Sequence, residues 1–98
     1  MERLWIATCE ISVEPGDLPS GLILAFSNIV TWGESSEEVR KKIQIDLDRF
    51  QWVLIGCERI ELVDKRKDYG DELNDLIDQA EGNPNAILFG RFFSYKPN

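Results

Sequence analysis

Thr31-Trp32-Gly33-Glu34-Ser35-Ser36-Glu37-Glu38-Val39 is the stretch where the chain changes its hydrophobic period. Before it, Leu22 to Trp32 alternates: Leu22, Leu24, Phe26, Val30 and Trp32 share one side, and Ile23, Ala25, Ser27, Ile29 and Thr31 the other. Its second side is only moderately polar, which predicts a strand internal to a sheet. After it, Val39, Ile43, Leu47 and Phe50 recur at spacings of four, four and three, a single stripe on a helix. Gly33-Glu34 closes the strand. Ser35, with Glu38 three residues on, is a capping box: serine oxygen and glutamate carboxylate each satisfy an amide that the first turn leaves open. A strand passing through glycine into a capped helix that starts at Ser36 makes this an α+β chain.

The flanks fill in the order. From Leu4 to Val13, Trp5, Ala7, Cys9, Ile11 and Val13 alternate with a side that ends in Thr8, Glu10 and Ser12, the pattern of a half-buried strand. Glu14 to Gly21 holds two prolines and two glycines, so neither neighbouring strand can extend through it, and it reads as the loop of a wide hairpin. Trp52 to Val63 is β-branched and long, a further strand, with Gly56 marking a bulge or a close backbone approach. Asp64 to Lys67 is a charged connection. Asp68 is expected to cap a second helix, residues 68 to 81, with Tyr69, Leu73, Leu76, Ile77 and Ala80 on its buried face and Gly82-Asn83-Pro84 as its stop. Ala86 to Tyr95 is apolar on both sides and asks for cover on both faces. The order β-β-α-β-α-β predicts a four-stranded, largely antiparallel sheet with two helices on one face, a ferredoxin-like variant in which residues 1–98 form one domain.

Composition narrows the function. The 98 residues are 43% hydrophobic and include ten aromatics, enough for a packed core. Eighteen acids against eleven bases give a charge of -7, which repels polyanions and anionic membranes, so no nucleic acid and no membrane partner is expected. The chain has no histidine, which removes imidazole bases, Ser-His and Cys-His pairs and His-ligated zinc. Cys9 and Cys57 stand 48 positions apart in apolar runs, not at metal-ligand spacing, and read as small buried hydrophobes, with a disulfide as the minor alternative. No catalytic residue, metal site or cofactor is expected. The longest apolar run, Leu22 to Phe26, is far below a membrane span, and the acidic start is unlike a secretory signal, so the expected location is the cytoplasm.

The acids are unevenly placed. Asp68, Asp71, Glu72, Asp75, Asp78 and Glu81 fall on the second predicted helix with no base among them, while the rest of the chain carries twelve acids against eleven bases. Such a face either keeps the protein soluble or docks a basic partner. Gly90 to Tyr95 is the second candidate. Core packing is the first reading of its aromatics; the other is that Phe92, Phe93 and Tyr95 form an apolar contact with another protein or a second copy, and Arg91 fits as a rim residue or as a partner for a helix acid.

Thr31 to Glu38 resembles the strand-to-helix junction of HicB-type antitoxins. Trp5, Glu37-Glu38, Trp52 with Gly56, and Arg91-Phe92 are similar to the pattern of a group of small bacterial proteins of unknown function. The second likeness implies the fold and transfers no active-site residue. The leading expectation is a non-enzymatic protein-binding module, an immunity or antitoxin-type inhibitor that sets its acidic helix against a basic partner. The alternative is a homodimer joined through the aromatic last strand, enclosing a small ligand.

Overall fold

The hairpin forms where the alternation places it. In this computed structural model, which describes residues 1–18, 21 and 23–94, β1 (Arg3–Ser12) and β2 (Leu24–Gly33) pair antiparallel over their full length, from Arg3 opposite Gly33 to Ser12 opposite Leu24. Trp5 Nε1 donates to the Gly33 carbonyl at 2.8 Å and locks the far end of the pair. The chain then enters α1 (Ser36–Asp48), capped as the sequence predicts: the Glu38 amide donates to Ser35 Oγ at 3.2 Å. Gly33 leaves the first turn its room: a Cβ there would stand 2.8 Å from Val39 Cγ2 and force a shift.

Helix α1 ends at Asp48, earlier than its stripe suggests. Phe50 lies past the end and is 52% exposed. Gln51 takes a left-handed φ of 63°, a position usually given to glycine, and Trp52 N donates back to the Leu47 carbonyl at 3.1 Å. That turn feeds β3 (Val53–Leu62), which runs antiparallel to β1. The pairing shifts twice, between Thr8 and Cys9 and between Glu10 and Ile11, so Glu58 and Ile55 are the extra residues of two bulges. Gly56 lies between them with nothing within 4 Å of where a Cβ would be, so the bulge reading of that glycine holds and the close-approach reading does not. After α2 (Asp71–Glu81), β4 (Ile87–Phe93) pairs antiparallel with β2, and the strand order is β3-β1-β2-β4.

Sheet class, element order and antiparallel pairing are as expected; the placement of the helices is not. Val39, Ile43 and Leu47 of α1 pack with Ala7, Cys9, Ile11 and Ile29. Leu73, Leu76, Ile77 and Ala80 of α2 pack with Leu4, Ile6 and Val30. Those strand residues alternate, so the helices lie on opposite faces of the sheet. The physical reason is the two-sided apolar character of β1 and β2: Leu4, Ile6 and Val30 would face water if both helices shared the other side, at roughly 1.5 to 3 kcal/mol for each large side chain.

Candidate functional site

Leu62 of β3 stands opposite Trp5, and Ile87 of β4 opposite Thr31, so both ends of the α2 connection lie at the same end of the sheet. The chain must therefore run down the sheet before the helix climbs back. Asp68 and Tyr69 border the sheet at the level of Thr8 and Asn28, whereas the Ala80 carbonyl at the helix end accepts from Trp32 Nε1 at 2.9 Å. Asp68 does not cap the helix. The N-cap is Gly70, at φ 92° and with no side-chain cap, and helix α2 begins at Asp71. Asp68 instead accepts from Gly70 N at 2.9 Å and Asn74 Nδ2 at 2.8 Å, and those two bonds hold its carboxyl below the usual aspartate value of 3.8. Tyr69 also lies ahead of the helix, half-buried, its hydroxyl accepting from Asp64 N at 2.9 Å.

The six predicted acids therefore have different roles. Glu72 accepts from the Arg91 amide at 3.1 Å and has Arg91 Nε at 3.6 Å, which fastens α2 to β4. Gly90 makes room for it: a Cβ there would stand 2.8 Å from Glu72 Cδ and 3.2 Å from the Asn28 carbonyl. Glu81 pairs with Lys65 of the preceding connection. Asp71, Asp75 and Asp78 remain as the exposed stripe, with Asp75 accepting from Gln79 Nε2 at 2.8 Å.

The aromatic strand divides in the same way. Phe92 lies on the α1 side, 5.6 Å from the Trp52 ring and 6.3 Å from the Phe89 ring, and belongs to that core. Phe93 points to the α2 side and stacks on Phe26 at 6.0 Å. Tyr95 lies outside the described residues. Phe92 and Phe93 thus lie on opposite faces of the sheet, so neither face presents both, because neighbouring strand residues face opposite ways.

What the sequence did not single out is the half of the sheet on the α2 side that no helix among the described residues covers. Down the α2 side, the row of Leu4 and Trp32 and the row of Ile6 and Val30 lie under the helix. Below them, Thr8 Oγ1 donates to Asn28 Oδ1 at 2.7 Å and accepts from Arg59 Nε and Nη2 at 3.2 and 3.1 Å, which ties three strands in one polar row. Arg59 Nη1 also reaches Glu61 Oε1 at 3.4 Å. This row floors a cleft of about 740 Å³ at the N-terminus of α2, bounded by Glu58, Asp68, Tyr69, Leu73 and Phe93. Beyond it, Glu10 lies opposite Phe26 and Gly56, and Ser12 lies opposite Leu24 and Val53. Leu24 is 49% and Val53 54% exposed, and Phe26 and Phe93 are half-buried. The outcome is an apolar patch with acids in and around it.

On the opposite face Cys9 and Cys57 are cross-strand partners with their sulfurs 2.7 Å apart, both as free thiols. No helix among the described residues is long and apolar enough to cross a membrane. Comparison with protein-family models, with curated proteins and with solved structures finds no match for this chain.

Proposed function

We propose that this protein is a non-enzymatic binding module that receives a basic protein on the α2 side of its sheet, as an inhibitor of the immunity or antitoxin type does. The observation that carries the reading is the half of the sheet that no described helix covers: exposed Leu24 and Val53 share that face with Glu10, with Asp68 and the stripe Asp71, Asp75 and Asp78 beside it. An apolar centre with a charged rim is the usual anatomy of a recognition surface, and the rim's sign sets the partner's. Two bases on this face are engaged, Arg59 by Thr8 and Glu61 and Arg91 by Glu72. Two copies meeting through the same face would set acid against acid, which disfavours the homodimer.

The test compares capture of a partner by three forms of the protein at low and high salt. Wild type is expected to retain a cationic protein at low salt and to release it at high salt. The triple variant Asp71→Asn, Asp75→Asn, Asp78→Asn is expected to lose on-rate and salt dependence, and the double variant Leu24→Ser, Val53→Ser to lose residence time. Capture indifferent to salt and to both variants overturns the proposal. A dimeric mass by light scattering at micromolar concentration returns the homodimer.

A further inference from the structure

We propose that Cys9 and Cys57 form a redox modification site: a thiol pair, set by strand register, that closes to an intramolecular disulfide when it meets a small-molecule disulfide. The inference is independent of the binding reading, because the pair lies on the α1 side of the sheet and the proposed docking surface on the α2 side.

Register supplies the geometry. Cys9 and Cys57 are directly opposite one another on antiparallel strands, and their sulfurs stand 2.7 Å apart. Directly opposed strand residues have the backbone separation that a disulfide requires. The pairing shifts on both sides, so the rows Cys9 with Cys57 and Glu10 with Gly56 form a short ladder between two bulges. Gly56 has open space around it. A segment released from the ladder at each end can make the small movement that brings two touching sulfurs into a bond without disturbing the rest of the sheet.

Access and reactivity assign the order of events. Cys9 is fully buried, whereas Cys57 is half-buried on the edge strand, so an oxidant reaches Cys57 first. The thiol of Cys57 is lowered to about 7, chiefly by the hydrogen bond from Cys9, with the Arg40 charge helping against burial. The same hydrogen bond, with burial, pushes Cys9 up. Cys57 is thus the attacking thiolate and Cys9 the resolving thiol. The Cys57 thiolate, having given its proton to solvent, attacks one sulfur of the reagent and expels a thiolate, leaving a mixed disulfide. Cys9 then gives its proton to that thiolate and attacks Cys57 Sγ, and the second leaving thiolate takes a proton from solvent. Two protein thiols lose two electrons and two protons, and the reagent disulfide becomes two thiols.

The experiment treats the reduced full chain with oxidised glutathione and follows intact mass, thiol titration under denaturing conditions and thermal melting. Expected are a mass loss of two hydrogens with no glutathione retained, disappearance of both titratable thiols, and a rise in Tm on the order of 10 °C, all reversed by dithiothreitol. The Cys9→Ala variant is expected to retain glutathione on Cys57, while Cys57→Ala takes up none. Both thiols surviving, a glutathione adduct that persists in the wild type, or a disulfide found only between chains would each overturn the proposal. The wild-type masses decide the matter even where a variant fails to fold.

Discussion

The two faces of this sheet carry helices of similar length and are finished differently. On one, α1 lays Val39, Ile43 and Leu47, all fully buried, over Ala7, Cys9, Ile11 and Ile29, and Trp52, Phe89 and Phe92 close its lower margin. On the other, α2 seals the upper rows and stops at Thr8 and Asn28. Their charges differ as well. Helix α1 mixes Glu37, Glu38, Asp46 and Asp48 with Arg40, Lys41 and Lys42, whereas α2 has acids alone. A covered, charge-balanced face contributes stability. A half-covered face whose helix carries one sign of charge gives up burial and gains a surface that another molecule can cover.

That contrast can be broken experimentally. The largest effect is expected from Ile43→Ala on the sealed side, about 2 to 5 kcal/mol in urea unfolding, because a cavity opens at a fully buried site. Leu24→Ser on the open side should fall within about 1 kcal/mol in the same measurement, since roughly half of Leu24 is already in water. Equal losses would mean that the lower half of the α2 face is as closed as the α1 face. Next in size is Thr8→Val, at about 1 to 2 kcal/mol, because the hydroxyl serves both Asn28 and Arg59 at the floor of the cleft. An unchanged midpoint would show that water replaces those bonds.

The smallest effect is that of Asp68, which is fully exposed, and it shows in pH dependence. Its folded pKa is below 3.8, so its contribution is present above that value and is lost as the pH falls through the lower, folded one. Asp68→Ala should therefore lower the urea midpoint slightly near neutrality and leave it unchanged in strong acid. A difference that grew on acidification would overturn the role given to the carboxylate in holding the turn before α2.

Much of this was legible in local sequence. The capping box at Ser35 and Glu38, the stripe Val39, Ile43 and Leu47, and the α2 face Leu73, Leu76, Ile77 and Ala80 all depend on neighbours within a turn or two. Even the edge of the cleft leaves a trace, since one side of β1 passes from Leu4 and Ile6 to Thr8, Glu10 and Ser12 where α2 stops. Phe50 and Asp68 were misplaced because helix ends are set by single backbone turns, at Gln51 and Gly70, which periodicity does not register.

By itself, then, the sequence determined the elements, their order and the side of each that must be buried, because those follow from hydrogen-bond geometry and side-chain period over short distances. Only the tertiary structure decided which helix takes which face, which acids of α2 are engaged by Arg91 and Lys65, that Phe92 and Phe93 part company, and that Cys9 meets Cys57. Each of these rests on pairing between distant strands, where one bulge on β3 shifts the register, or on the route of the connection to α2. Alternation along a strand shows that two faces exist, and long-range packing settles what covers them.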